Sequence, residues 1–224
     1  MTLHPLHPSP PLARIGREQP AALYLARTGQ PRRAALEDFI GERFARQHGA
    51  RISHFLPCLL GLEQDDGSLI GAVGLRPAGD TPLFLEAYLD RPVEQCIDAT
   101  PLDRTRIVEV GNLAADSPGA ARLLIVALTD LLASLGFEWV VFTATRELHN
   151  SFQRLGLQPR QLAAADPARL GAEGAAWGSY YQHAPTVMAG QILAGHQRLL
   201  QLGLYPRLGH QPLYAGGLPD VACC

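Results

Sequence analysis

The chain has 224 residues, 47% of them hydrophobic and 18% charged, with a formal net charge of −2. That length suits one sizeable core and is short for two. The near-neutral charge gives no global footing for nucleic acid or an anionic membrane, and no apolar run approaches the roughly 20 residues of a membrane span.

Lysine is absent, so all the positive side-chain charge is arginine, a bias that a GC-rich coding sequence explains without function. The four cysteines, Cys58, Cys96, Cys223 and Cys224, show no CxxC spacing, and the adjacent pair cannot easily bridge. Free thiols in a reducing, cytoplasmic setting are therefore expected. The opening MTLHPLHPSPPLARIG is broken by prolines and has no continuous apolar stretch, so it does not read as a signal peptide.

Residues 1–19 read as a flexible Pro/His-rich arm; its His4 and His7 lack flanking carboxylates or cysteines and are assigned to no metal site. Ala21–Ala26 reads as a first strand. Leu36, Phe39, Ile40 and Phe44 give one apolar face, predicting a helix over Arg33–His48 closed by Gly49. His54–Leu62 and Leu69–Leu75 flank an Asp65-Asp66-Gly67 turn and read as an antiparallel hairpin. Leu83–Tyr88 reads as a short extended piece and Pro92–Ile97 as a helical turn. Arg106–Leu113 is a strand. A helix capped by Ser117, with Pro118 at its first position, should run to Gly136. Phe137–Thr143 is apolar on both faces, as a central strand should be. Glu147–Leu155 reads as a short helix stopped by Gly156, and Gln191–Leu202 as a further helix. The domain is expected over residues 20–205, with 206–224 an irregular tail.

Three features carry chemistry. Glu109 lies mid-strand, on the face of Ile107 and Gly111 and opposite Val108 and Val110. Such a carboxylate either faces a cleft or has a partner, since leaving it buried and unpaired costs several kcal/mol; a salt bridge to Arg76 or Arg104 and a catalytic role both stand. Gly111 inside a strand marks a bulge or a close backbone approach, and free N–H groups there would suit an oxyanion. The turn at Asp116–Ala121 opens a helix whose N–H groups can bind phosphate.

The segments GLRPA (Gly74–Ala78), FLEAYLD (Phe84–Asp90), IVEVGNLA (Ile107–Ala114), FTAT (Phe142–Thr145), FQRLGL (Phe152–Leu157) and WGSYY (Trp177–Tyr181) resemble the thermostable hemolysin family. The same segments resemble acyl-homoserine-lactone synthases of the GNAT acyltransferase superfamily. The resemblance implies a mixed α/β domain with a GNAT-like twisted sheet of six or seven strands and helices on both faces. It implies an N-acyltransferase moving an acyl group from a phosphopantetheine thioester, on acyl carrier protein or coenzyme A, to a small amine.

Site roles follow from that resemblance. Glu109, Arg76 and Asn112 are the catalytic candidates; Asn112 stands where the lactone synthases carry arginine. Glu86, Asp90, Arg104, Thr143, Thr145 and Tyr180 are assigned to substrate, and Gly111, Leu113, Ser117, Gly119, Ala120, Ala121 and Asn150 to the pantetheine arm. Asp116 replaces the usual basic or amide residue of the pyrophosphate loop, which favours carrier protein over free coenzyme A. Glu86 with Asp90 also reads as a solvated acidic patch. Arg32, Arg33, Arg43, Arg46 and Arg51 either form a basic rim for an acidic carrier or are ordinary helix-face charges. Two other readings stay open: a membrane-damaging toxin, and a carrier-binding protein without catalysis.

Overall fold

The computed structural model describes residues 10–79, 81–97 and 102–214. The strands are β1 (Ala13–Ile15), β2 (Ala21–Ala26), β3 (Cys58–Gln64), β4 (Leu69–Pro77), β5 (Ile107–Ala115), β6 (Trp139–Ala144), β7 (Arg160–Ala164), β8 (Thr186–Gln191) and β9 (Gln211–Pro212). The helices are α1 (Pro31–His48), α2 (Val93–Ile97), α3 (Pro118–Ser134), α4 (Arg146–Arg154), α5 (Ile192–Gln201) and α6 (Leu204–Arg207). The strands form one sheet in the order β7-β8-β6-β5-β4-β3-β2-β1-β9, antiparallel throughout except for the β5–β6 pair.

Helices cover both faces. Leu36, Phe39 and Ile40 of α1 pack with Leu59, Ala72 and Ala114 on one side. On the other, Leu124, Leu128 and Leu131 of α3 meet Leu60, Val73, Val108 and Val110. The period of two in β5 thus sends its valines to α3 and leaves Ile107 and Glu109 on the opposite face. A further cluster joins Leu85, Tyr88 and Val93 to Ile107, Val141 and Val187. Local signals end the long helices: Gly49 takes the left-handed conformation after α1 at φ 64°, and Ser117 Oγ accepts the N–H of Ala120 at the start of α3.

Several expectations need correction. The sheet has nine strands: besides β7 and β8, which the sequence pattern did not show, the supposed arm contributes Ala13–Ile15, paired with β2, and the supposed tail contributes Gln211–Pro212, paired with β1. Runs of two or three residues carry too little alternation to read. Leu83–Tyr88 contains a 3-10 turn, Phe84–Tyr88, instead of an extended piece. The strand expected from His54 starts at Cys58. Cys58 is not one of the free thiols expected; of the described cysteines, Cys96 is free. The His4 and His7 pattern and the end of the tail lie outside the described residues.

Candidate active site

The parallel ladder between β5 and β6 runs from Ile107–Trp139 to Val110–Phe142 and stops. Yet β5 continues to Ala115 and β6 to Ala144, so the two strands part at Gly111. On the other side of β5, the register with β4 shifts between Ala72 and Gly74. Asn112 and Leu113 therefore have no register partner on either neighbouring strand, and Asn112 adopts φ 52°. This is a β-bulge, and it leaves backbone groups facing the gap. A cavity of about 1130 Å³ passes through the opening, above the roughly 300–1,000 Å³ of common small-ligand pockets and large enough for two reactants.

Glu109 stands where the seam begins, 3% exposed. Its oxygens accept the N–H groups of Phe84 (3.1 Å) and Leu85 (2.9 Å), the first residues of the 3-10 turn. Burial pushes the carboxyl above its ordinary range; those two N–H groups and the Arg76 charge pull the other way without cancelling it. A carboxylate with a raised pKa, lining a cavity, is a stronger proton acceptor than a solvated one.

The turn that presents those N–H groups is itself tied down. Glu86 accepts the N–H groups of Leu83 (2.7 Å) and Val93 (2.8 Å) and receives Arg104 at 2.6 and 2.8 Å. Arg104 also reaches Glu94 at 2.6 Å and the Gly79 carbonyl at 3.0 Å. Burial alone would raise the Glu86 pKa, but Arg104 and the two N–H groups outweigh it and hold the carboxyl low.

Asn112 braces the same wall. Its Oδ1 accepts the Leu56 N–H at 2.9 Å and its Nδ2 donates to the His54 carbonyl at 3.1 Å, pinning the irregular segment before β3 across the bulge. Rings complete this wall: Phe44 and His48 from α1, Phe84 and Tyr88 from the 3-10 turn, and Trp177 and Tyr180. The Trp177–Tyr180 stretch is docked on the end of α1, where the His48 carbonyl accepts the Ser179 N–H at 2.8 Å and its hydroxyl at 3.2 Å.

The donor-side assignments mostly reach the cavity wall. Gly111, Leu113, Ser117, Ala121 and Asn150 line it, as do Thr143 and Thr145, the latter capping α4. Gly119 and Ala120 do not line it; Ala120 is buried in the first turn of α3. Arg76 stands in register with Glu109 and reaches the His54 ring nitrogen at 3.4 Å without lining the cavity. Glu86, Asp90 and Arg104 also lie outside the lining, against their assignment to substrate: the first and last form the knot just described, and Asp90 pairs with Arg169 at 2.7 Å. The basic rim is largely neutralised, with Arg32 on Glu63, Arg33 on Glu37, Arg43 on Asp116 and Arg46 on Glu42. The Arg43 pair also offsets the negative charge of Asp116 at the helix start.

Sequence reasoning missed His48, Phe44 and Trp177 as cavity residues. Phe44 and His48 carry the helical spacing of a core-facing stripe, which hides a site-facing role. His48 is buried, its Nδ1 has no hydrogen-bond partner, and burial followed by the neighbouring His183 lowers its pKa.

The family described as thermostable hemolysin matches residues 26–196. No curated protein matches the chain significantly. Among solved structures, FeeM, an N-acyl amino acid synthase from uncultured soil microbes, is similar at 16% identity and a TM-score of 0.57, over 82% of this chain and 98% of its own. A coenzyme A-dependent acyl-homoserine lactone synthase, BjaI, is similar at 15% identity and 0.55, over 84% and 90%. The acyl-homoserine lactone synthase LasI is similar at 13% identity and 0.54, over 78% and 91%. At such identities these likenesses establish the GNAT-like fold. Among the described residues, no helix is long and apolar enough to cross a membrane.

Proposed function

This chain belongs to the thermostable hemolysin family, and we propose that it is an N-acyltransferase, moving an acyl group from a phosphopantetheine thioester to an amine. The observation that carries this reading is the seam that opens at Gly111 directly beyond the buried carboxylate of Glu109. A tether threaded there places its thioester carbonyl against the bulge at Asn112–Leu113, whose N–H groups hold the oxyanion. The amine nitrogen attacks the carbonyl carbon, the C–N bond forms, and the C–S bond breaks. Glu109, directly or through one water, takes the amine proton, which ends on the departing thiolate. Holding both reactants in one enclosed cleft supplies up to roughly 7–11 kcal/mol of the barrier reduction.

The donor arm lies over Ser117 and Ala121 at the start of α3, where the helix N-terminus favours phosphate and Arg43 compensates Asp116. Carrier protein and coenzyme A present the same arm, so both belong to the donor class. The acyl chain runs into the apolar part of the cavity formed by Ile125, Leu128, Val140, Phe142, Phe152 and Leu157. The likeness to the lactone synthases and to FeeM supports this reading through the fold.

The test is incubation of purified protein with acyl-coenzyme A and acyl-carrier protein over an amine panel, read by mass spectrometry against Glu109→Gln. Amide formation by wild type alone is expected. Equal amide from both proteins, or none with any thioester, overturns the reading.

A further inference from the structure

The cavity wall beside Glu109 is built of rings from three separate parts of the chain. Phe44 and His48 end α1, Phe84 and Tyr88 bracket the 3-10 turn, and Trp177 and Tyr180 lie between the Gly171 kink and β8. They touch as one set: Phe84–Trp177 centroids are 5.8 Å apart, Trp177–Tyr180 5.3 Å, Phe44–Trp177 6.1 Å and His48–Tyr180 5.2 Å. Rings from three elements converging on an open cavity exceed what core packing needs, since a core would close over them.

Charge at this end is one-sided. Glu109 supplies a carboxylate, and Glu147 lines the same cavity near Gln47. Four arginines line the cavity: Arg43 is ion-paired with Asp116, and Arg154, Arg160 and Arg198 come from α4, β7 and α5, elements that carry none of these rings. Burial lowers the pKa of His48, whose Nδ1 has no hydrogen-bond partner, and so disfavours a positive charge there. Arg76 lies outside the lining, engaged with His54. The ring-bearing elements offer π-faces and negative charge to a ligand cation, and the one arginine they bring to the lining is already paired.

We propose that the acceptor is a primary amine carried on an aromatic ring and lacking a carboxylate, an arylalkylamine. The ring packs among Phe44, Phe84 and Trp177, and the ammonium faces Glu109; the carboxylate takes its first proton and releases it to water, and the second proton, lost as the amide forms, passes through Glu109 to the departing thiolate. An α-amino acid would bring a second carboxylate against Glu109 in a dry site, where the Arg76 charge already acts on Glu109. An alkylamine would satisfy the charge and leave the rings without a stacking partner. This proposal rests on the acyl-transfer reading and adds the acceptor class to it.

The experiment titrates full-length protein calorimetrically with 2-phenylethylamine, tryptamine, phenylalanine, tryptophan and hexylamine, then runs each with an acyl-coenzyme A donor. The arylalkylamines should bind at least about tenfold tighter than both their amino-acid counterparts and hexylamine. Trp177→Leu should abolish the ring preference; Phe44→Leu serves the same purpose should the first variant not fold. Tighter binding of an amino acid, no preference for rings, or no binding by any amine overturns the proposal. Amide formed preferentially on an amino acid would sink the acceptor class and keep acyl transfer. Ring-selective binding without amide from any thioester would do the reverse.

Discussion

The Oδ1 of Asn112 accepts the backbone N–H of Leu56 at 2.9 Å, across the bulge in β5. One residue thus makes the bulge, through its left-handed backbone at φ 52°, and ties the far wall of the cavity to it. Asparagine tolerates that backbone better than most residues and carries both an acceptor and a donor to bridge the gap.

Asn112→Ala should therefore lose on two counts, the strained backbone and the stranded Leu56 N–H. About 1–3 kcal/mol of stability should go, with a rise in KM for the acceptor. Asn112→Gly relieves only the backbone and should recover part of the stability and none of the KM. Urea unfolding and acyl-transfer kinetics measure both; an alanine variant with wild-type stability and KM would refute the clamp.

Glu109→Gln should keep the fold, because the amide still offers an acceptor to one of the two N–H groups of Phe84 and Leu85. Its kcat should fall about 10²–10⁴-fold, the usual range for removing a general base. Single-turnover assays with an acyl thioester supply the check.

Stability and activity should run in opposite directions with pH. The folded pKa of Glu109 lies above its unfolded value, so the native chain holds a proton that the unfolded chain releases first. The resulting stabilisation is complete below the unfolded pKa and disappears as pH rises through the folded one. Activity, which needs the carboxylate, should rise across that same window. The difference in unfolding free energy between wild type and Glu109→Gln, measured at several pH values, should shrink or reverse on raising pH, while kcat/KM climbs only in wild type.

Arg104→Ala leaves Glu86 and Glu94 facing each other without their shared cation. The pairs are mostly but not fully buried, with side-chain exposures of 13–23%, so a loss of about 2–3 kcal/mol is expected, below the figure for a sealed pair. Because Glu86 fixes the turn that donates to Glu109, the pH limb should also shift. Arg104→Lys, with one point charge for a forked donor, should rescue stability only in part. Denaturation and a pH profile of both variants decide this.

Gly178→Ala should loosen the ring wall. A Cβ there would lie 2.1 Å from the His48 carbonyl oxygen, and the φ of 56° already disfavours a side chain. Destabilisation by at least ~1 kcal/mol is expected, with weaker acceptor binding and unchanged donor binding in calorimetry.

Much of the fold was legible because β5, α3 and β6 are long and strongly patterned. The valines of Val108 and Val110 announced the α3 face, and Ser117 and Gly136 announced the ends of that helix. The stretch of the cavity from Gly111 to the start of α3 was readable for the same reason: Gly111, Ser117 and Ala121 are backbone-chemistry residues in local motifs. The wall around Glu109 was not. Glu109 was read as either catalytic or salt-bridged to Arg76 or Arg104; its hydrogen-bond donors are main-chain N–H groups 24 and 25 positions away in sequence, which carry no residue-type signal. Glu86 and Asp90 look like site acids by composition, and only the placement of Arg104 and Arg169 reveals them as loop anchors. Phe44, His48 and Trp177 converge through tertiary contacts that no single segment encodes.

Four rungs, from Ile107–Trp139 to Val110–Phe142, join β5 to β6. To one side of this suture lies the antiparallel block from β9 to β5; to the other, β6, β8 and β7. The main-chain ladder already ends short of the gap, so a guest chain sliding in does not have to break sheet hydrogen bonds to enter. Lengthening the suture by one rung, for instance by straightening the kinked strand at position 112, would zip the doorway shut and turn the same scaffold into an inert β-sheet.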